Sequence, residues 1–311
     1  MSSLGVTGPS SGPGFSNLGA ITKETVTTAL TSADVLIELQ GRKGDDLTAT
    51  CTAVFDLDTD SGLPKAGQTV LVAFPVTGLS SDAVEIAGFE VIVDGVRKTG
   101  LKGSYIRLFS GNDTPNEFKK LLPMEGNPKT FDFFGYSLYG GASATDTVLQ
   151  GYAWSQEFAP GKHCRVQIKY LLTLHAQSLA YAKKMLHGQS FNVIPFDAMW
   201  AGESGQKAFF FDYILRSGGT WKGPIGRETV TLTAAPASGL TLRDDQVVTF
   251  GRHAFARFDD FRESIERLRA GLDAPGVTHS HGIVWEINQE KPQQDILVEI
   301  PADAVTEATK Q

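Results

Sequence analysis

Residues 47–57, LTATCTAVFDL, decide the fold of this chain. Polar and apolar side chains alternate there, and one face carries Leu47, Ala49, Cys51, Ala53, Phe55 and Leu57. Such an alternation predicts a β-strand with one buried and one solvated face. Residues 163–172, HCRVQIKYLL, repeat the pattern, and their inner face carries Cys164, Val166, Ile168 and Tyr170. Both segments therefore predict strands that cover a core.

The chain has two cysteines, Cys51 and Cys164, and both lie on these predicted inner faces. Two interpretations are open. Free cysteines are often buried as small hydrophobic residues, which favours two separate core thiols. A disulfide across a sandwich is the alternative, and it would place the protein in an oxidising compartment.

Length and composition exclude several classes of protein. The 311 residues are about twice the usual domain length, so we expect two domains. Hydrophobic residues make up 41%, which excludes a disordered chain. The net charge of -7 offers little attraction for a polyanion, so nucleic acid is not an expected partner. No apolar run approaches the length of a spanning helix, and we expect no transmembrane segment.

The first half of the chain predicts one domain. Residues 1–20 are rich in Gly and Ser and lack the regions of a signal peptide, so we expect a flexible arm. Residues 21–174 hold successive Val- and Thr-rich segments, which predict an immunoglobulin-like β-sandwich. Within them, Asp94-Gly95 predicts a two-residue hairpin turn. Residues 101–150 break the pattern and predict an insertion, with a short amphipathic segment, NEFKKLLPM, that Pro123 ends.

The second half predicts a connecting helix over 175–189, a β-rich domain over 190–301 and a frayed tail over 302–311. In RETVTLT (227–233), we expect Val230 and Leu232 to point inward and the three threonines outward.

GIVWEI (282–287) and DILVEI (295–300) predict a pair of strands, with Ile283, Trp285 and Ile287 on one face. Residues 258–272, FDDFRESIERLRAGL, predict an amphipathic helix. The predicted fold class is mainly all-β, with two β-sandwich-like domains, one connecting helix and one amphipathic helix in the second domain.

We expect no cofactor, although a partial motif suggests calcium. Asp56, Asp58 and Asp60 alternate in a predicted loop, and carboxylate oxygens are the ligands that calcium prefers. The match to an EF-hand loop is partial, because Ser61 and Gly67 stand where the motif has Gly and Glu. A plain acidic connection between strands is the favoured alternative.

Other candidate sites are weaker. His279 and His281 lie at the start of a predicted strand, and His253 lies upstream. Together they suggest a zinc or copper site. An aromatic cluster comprises Phe131, Phe133, Phe134, Tyr136 and Tyr139. Such a cluster can stack against a sugar ring, but more commonly it packs over a hydrophobic core. A hydrolase would need paired carboxylates, for which Glu203 and Asp212 are one example. The chain carries neither a G-x-S-x-G nor a phosphate-binding glycine motif.

Trp221 and Pro224 predict a structural corner. A large indole next to a Gly-Pro turn fixes the course of the chain between two strands, because proline restricts φ and glycine allows close approach. We expect Trp221 to serve packing.

Three segments also carry a family resemblance: FDYILRSGGTWKGPIGRETVTL (211–232), LVAFPV (71–76) and IVWEINQEKPQQDILVEI (283–300). With their Trp-x-Gly-Pro-Ile turn and Val-Ala-Phe-Pro strand, they resemble an uncharacterised domain-of-unknown-function family of secreted bacterial proteins. The resemblance implies a location outside the cytoplasm, in the periplasm or beyond the cell. It supplies no catalytic residues.

These observations predict a non-catalytic, extracytoplasmic protein that binds a protein partner or assembles with itself. A calcium-assisted carbohydrate-binding module is the alternative, and a hydrolase with paired carboxylates is the less favoured one.

Overall fold

The computed structural model describes residues 14–16, 19–21, 27–60, 67–78, 87–99, 101–110, 118–124, 147–178, 207–250, 255–257, 282–290 and 296–307. Most of these residues lie in twenty β-strands, so the predicted all-β fold class is confirmed. The helical elements in these ranges are short 3-10 helices at Arg216–Thr220, Pro236–Ser238, Asp244–Gln246 and Ala302–Ala304. None of the described helices is long and apolar enough to cross a membrane.

Eight strands form the large sheet. Their bounds are β3 (Thr28–Lys43), β4 (Asp46–Thr59), β6 (Ala87–Val93), β7 (Val96–Arg97), β11 (His163–His175), β14 (Ile225–Ala234), β17 (Phe255–Arg257) and β18 (Gly282–Glu290). The order across the sheet is β17-β18-β14-β3-β4-β11-β6-β7. Neighbouring strands are antiparallel, except that β14 runs parallel to β3.

Two smaller sheets face the large one. The β5 sheet contains β2 (Gly19–Ile21), β5 (Gln68–Gly78), β8 (Lys102–Ser110), β9 (Phe118–Met124) and β10 (Thr147–Phe158), in the order β2-β5-β10-β8-β9. The β19 sheet contains β1 (Gly14–Ser16), β12 (Gln177–Ser178), β13 (Lys207–Ile214), β16 (Val248–Phe250) and β19 (Ile296–Pro301). Its order is β1-β13-β19-β16, and β12 also pairs with β13. A separate ribbon joins β15 (Leu240–Leu242) to β20 (Val305–Glu307).

One hydrophobic core joins the three sheets, and it includes residues of β4, β11, β5, β10, β13 and β19. Phe74 of β5 packs against Phe55 of β4 and Tyr170 of β11, with ring centroids 6.1 and 5.6 Å away. Both smaller sheets therefore cover the inner face of the large sheet, and the opposite face is called the outer face below.

The large sheet contains strands from both predicted domains. β14 lies between β3 and β18, and its Thr231 is in register with Leu36 of β3. Parallel neighbours need a long connection, and residues 44–224 supply it here. The predicted boundary at 175–189 therefore does not separate one sheet from another.

The described part of the predicted flexible arm is paired. Residues 14–16 pair with β13, and residues 19–21 pair with β5. Sheet pairing uses backbone N–H and C=O groups, which Gly and Ser provide as other residues do. A composition poor in apolar side chains is therefore compatible with these two short strands.

The predicted frayed tail is ordered through Glu307, which corrects the prediction for residues 302–307. Ala304 and Val305 are buried, and Val305 pairs with Leu242. The Arg42 guanidinium donates to the carbonyl oxygens of Ala302 and Val305 over 2.8 and 3.3 Å. Burial and these hydrogen bonds hold the segment.

The predicted connecting helix is wrong at its start, because His175 ends β11 and Gln177–Ser178 form β12. Residues 179–189 lie outside the described residues. The predicted amphipathic helix over 258–272 also lies outside them.

The amphipathic segment NEFKKLLPM contributes an edge strand, β9, which continues past Pro123 to Met124. Proline is tolerated there because an edge strand needs its N–H groups on one side only. The prediction that Pro123 ends the segment is therefore wrong by one residue.

The predicted pairing of GIVWEI with DILVEI is wrong. β18 pairs with β14 and β17, whereas β19 pairs with β13 and β16, so the chain changes sheets between them. The predicted shared face is confirmed, because Ile283, Trp285 and Ile287 all belong to the core.

The three threonines of β14 are buried, in contrast to the prediction. Thr229, Thr231 and Thr233 are at most 1% exposed, although they point away from Val230 and Leu232 as predicted. Leu36 and Val284, the register neighbours of Thr231, are buried on the same outer face. A strand in the middle of a covered sheet loses its solvated face, which alternation alone does not reveal.

Two local predictions agree with the structure. Asp94 and Gly95 have φ angles of 48° and 79°, the positive values that a two-residue hairpin between β6 and β7 requires. Cys51 and Cys164 are buried and free. Cys51 is in register with Tyr170, so the two thiols lie six residues apart along adjacent strands, or roughly 20 Å, too far for a disulfide. Burial, the main cause, raises the pKa of each thiol to about 12.

Candidate functional site

A polar cluster lies on the outer face of the three central strands of the large sheet. It comprises Ser32 of β3, Asp56 and Asp58 of β4, and His163 and Arg165 of β11, and we call it the Asp56 cluster. The register places Asp56 between Ser32 and Arg165 and places Asp58 opposite His163. Alternation fixes these positions, because Phe55 and Leu57 between them are completely buried in the core.

Asp56 is the centre of the hydrogen-bond network. Arg165 donates to both of its carboxylate oxygens, through Nε over 2.8 Å and through a terminal nitrogen over 3.1 Å. The Ser32 hydroxyl donates to Oδ2 over 2.9 Å. His163 joins the two carboxylates, with Nε2 3.1 Å from Asp56 Oδ1 and Nδ1 2.9 Å from Asp58 Oδ1. A two-point contact between a guanidinium and a carboxylate fixes both groups in orientation.

The network favours the charged form of three of its members. The hydrogen bond to Asp58 raises the pKa of His163, and the Asp56 carboxylate adds to this effect. Burial works to raise the pKa of Asp56, but hydrogen bonds from Arg165 and Ser32 outweigh it and lower that pKa below its usual value. The hydrogen bond to Asp56 raises the pKa of Arg165 further. The network therefore favours an anionic Asp56 beside a cationic His163 and a cationic Arg165.

More polar groups flank the Asp56 cluster. Asp94, at the β6–β7 turn, accepts the backbone N–H of Arg165 over 2.7 Å. On the other side Arg227 of β14 is in register with Ser32. Burial raises the pKa of Asp34, the next outward-facing residue of β3, and Arg227 partly opposes this effect. A row of polar groups thus crosses four strands of the large sheet, β14, β3, β4 and β11, and reaches the β6–β7 turn.

The three carboxylates of the calcium prediction do not converge in the described structure. Asp56 and Asp58 lie on β4 and contact Arg165 and His163, and the Asp60 carboxylate forms an ion pair with Lys222. Among the described residues, no group of three or more His, Cys, Asp or Glu side chains has the arrangement of a metal site. A cation would have to displace basic side chains that already contact these oxygens.

Trp221 and Pro224 lie at the corner between the 3-10 helix Arg216–Thr220 and β14. Trp221 is 3% exposed, and its ring packs edge-on against Phe158 of β10, with centroids 5.8 Å apart. Gly223 has a φ of +71°, which favours glycine, and Pro224 is exposed. The Trp221 side chain thus connects the β5 sheet to this corner.

Sequence reasoning missed a buried carboxyl group in the core. Glu228 of β14 is completely buried, and the Tyr213 hydroxyl of β13 donates to its Oε1 over 2.6 Å. Burial, with a further contribution from Glu228, raises the pKa of Tyr213 well above its usual value. Glu228 is in phase with the inward-facing Val230 and Leu232, and this alternation was the signal that could have revealed it.

Several predicted candidates fall outside the described residues. These are the aromatic cluster Phe131, Phe133, Phe134, Tyr136 and Tyr139, the histidines His253, His279 and His281, and Glu203. Asp212 lies on β13, where its backbone is in register with Leu297.

Comparisons with known proteins give little further information. No family model matches the chain, and a search of curated proteins finds no match. One solved structure, from Legionella pneumophila and provisionally described as a nutrient binding protein, is 12% identical with a TM-score of 0.49, over 93% of this chain and 71% of that chain. An M1 zinc metallopeptidase from Deinococcus radiodurans is 9% identical with a TM-score of 0.31, over 90% of this chain and 44% of that chain.

A third structure, provisionally described as a protease from Parabacteroides distasonis, is 7% identical with a TM-score of 0.28, over 89% of this chain and 41% of that chain. This chain therefore spans less than half of the last two proteins. At these identities and TM-scores, the likenesses assign no function.

Proposed function

We propose that this protein works by binding, as a non-catalytic extracytoplasmic protein that contacts a protein partner or a second copy of itself through the Asp56 cluster. The observation that carries the proposal is the hydrogen-bonded set of ionisable side chains around Asp56. Asp56 has a lowered pKa, whereas His163 and Arg165 have raised values. Shifts in these directions favour a negative charge on Asp56 and positive charges on its basic neighbours, an arrangement that can recognise a complementary charged surface.

The geometry of the cluster supports recognition of a polar protein surface. Its members lie on three adjacent strands whose opposite face packs in the core. Hydrogen bonds fix the orientation of the side chains in the cluster. Preorganised side chains lose little conformational entropy when a partner binds. The side chains of His163 and Arg165 are 53% and 49% exposed, so both remain accessible to a partner.

The described sheet edges favour binding through a face. The large sheet ends at β7 with two residues and at β17 with three, and the β5 sheet ends at β9, which contains Pro123. At β6, Gly88 with a φ of +64° lies beside a break in the register with β11. Short, bulged or proline-containing edges disfavour the addition of a strand from another chain.

The location outside the cytoplasm is supported by the resemblance of residues 71–76, 211–232 and 283–300 to secreted bacterial proteins. The alternative, a calcium-assisted carbohydrate-binding module, would need calcium to displace the contacts of Asp56, Asp58 and Asp60. Calorimetric titration tests it directly, and the absence of heat at millimolar calcium would eliminate it.

Sedimentation velocity of the purified protein tests the main proposal, together with affinity capture from an envelope extract. The variant Arg165→Gln removes the two-point contact with Asp56, and Arg97→Gln is the matched control at an exposed ion pair of the same sheet. We expect self-association or capture by the wild type and by Arg97→Gln, weakened by salt and lost in Arg165→Gln. A monomer that captures no partner, or an Arg165→Gln variant that behaves like the wild type, would refute the proposal.

A further inference from the structure

Charged side chains on the outer face of the large sheet are sorted by strand. The outward-facing ionisable residues of β4 are all acidic, and they are Asp46, Asp56 and Asp58. Those of β11 are all basic, and they are His163, Arg165, Lys169 and His175. The two strands pair from end to end without a break in register. An acidic row therefore runs beside a basic row, about 5 Å away.

The two rows are matched by position and remain accessible. An acidic residue of β4 lies directly opposite a basic residue of β11 in the pairs Asp58–His163, Asp56–Arg165 and Asp46–His175. The side chains of Asp58 and His163 are 59% and 53% exposed, and those of Asp46 and His175 are 44% and 55% exposed. A carboxylate offers about four acceptor sites, so its contact within the chain leaves capacity for a second molecule.

A second copy of the chain presents the complementary pattern to this surface. A twofold axis in the plane of contact, parallel to the strands and midway between β4 and β11, places β11 of one copy over β4 of the other. Rotation about this axis preserves the position of each residue along the strands. His163, Arg165 and His175 then each face an aspartate of the partner subunit, the one that corresponds to their own register neighbour. An isologous interface repeats every contact, so each of these pairs forms twice.

We propose that the outer faces of β4 and β11 form the interface of a symmetric dimer in which these strands are aligned. The inference rests on the proposed function and selects a second copy of the chain as the molecule that the Asp56 cluster contacts. Complementary charges favour the correct partner, and like charges that meet disfavour others. A second copy carries both rows at the required spacing, whereas an unrelated protein would have to reproduce them.

The surface between the charged ends permits close approach. β4 presents Thr48, Thr50 and Thr52 there, which are small and uncharged. Lys169 is in register with Thr52, so the axis places it over a neutral side chain of the partner subunit. β11 has 13 residues and a length of roughly 40 Å. A strip of this length and four strands wide, from β3 to β6, covers about the 800 Å² per partner that a stable interface buries.

Sedimentation velocity at about pH 6, where an ordinary imidazole is mainly cationic, tests the axis with charge reversals. Asp58→Arg and His163→Asp each bring like charges together across the interface, so we expect each variant to dimerise at least about tenfold more weakly than the wild type. A mixture of the two variants joins opposite charges again and should form a heterodimer at least about tenfold tighter than either variant alone. Glu157→Arg, a reversal at an exposed residue of β10 in the β5 sheet, is the matched control and should dimerise as the wild type does.

The wild type provides readouts that do not depend on the folding of a variant. Its dimer should weaken as salt is raised, and the proton NMR signal of the His163 ring should shift as dilution separates the subunits. A wild type that stays monomeric at millimolar concentration would overturn this inference, while capture of a different protein by that monomer would leave the proposed function intact. A dimer that neither reversal weakens, a mixture no tighter than its separate variants, or an unchanged His163 signal would overturn it as well.

Discussion

Replacing Glu299 by Gln should stabilise the protein in a pH-dependent way. Burial raises the pKa of this group from 4.5 to about 7, so the folded state binds a proton more tightly than the unfolded state. The stability of the wild type therefore falls as the pH rises from about 4.5 to about 7. The shift corresponds to a loss of about 3 kcal/mol in the free energy of unfolding, and this loss is complete above the folded-state pKa. Glutamine has a similar shape and no charge, so the variant should escape this loss.

Urea unfolding followed by tryptophan fluorescence measures the effect. At about pH 4, ionisation of Glu299 should contribute little to the difference in the free energy of unfolding between the two proteins. At about pH 8, this difference should have changed by about 3 kcal/mol in favour of the variant. Glu307→Gln, at an exposed residue, should show no comparable change with pH. A difference between Glu299→Gln and the wild type that stays constant over this range would refute the assignment of Glu299 as a buried carboxyl group with a raised pKa.

Three further predictions concern the core and the Asp56 cluster. Trp221→Ala should destabilise the protein by about 3–5 kcal/mol in thermal or urea unfolding, because the indole is buried, and near-wild-type melting would contradict this packing. Tyr213→Phe removes a donor from the buried Glu228 and should cost about 1–3 kcal/mol, whereas an unchanged midpoint would show that other contacts compensate fully. Proton NMR should give His163 a pKa above 6.5, and Asp58→Asn should lower it. The stabilisation by His163 is present below pH 6.5 and is lost as the pH rises through its folded-state pKa, so a value at or below 6.5 would contradict the network.

The sequence predicted those features that depend on neighbours in the chain. Alternation identified the buried faces around Cys51 and Trp285, and the Asp94-Gly95 turn follows from the φ angles that its two residues must adopt. The same alternation continues through Asp56 and Asp58, which were predicted to lie in a loop but belong to β4, on the face opposite Phe55. It could not show that they contact His163 and Arg165, because that pairing joins strands about one hundred residues apart.

Features that depend on distant strands were missed for the same reason. The strand pattern of 282–287 and 295–300 is correct, but nothing local to these residues specifies which sheet each one joins. The threonines of β14 alternate as a half-solvated strand does, and only the burial of Leu36 and Val284 beside them reveals a covered face. Glu299 was missed because a glutamate between Val298 and Ile300 has the appearance of an ordinary surface residue.

The position of β14 in the large sheet has a consequence for how the chain folds. β3 has sixteen residues, and its neighbours are β4, which follows directly, and β14, which begins at Ile225. During synthesis, β3 therefore remains a long edge with unsatisfied backbone groups until β14 has emerged. A fragment that ends at residue 174 would keep this edge permanently. We expect such a fragment to aggregate, and we expect folding of the intact chain to be slow, because its central strand pair closes one of the longest loops in the protein.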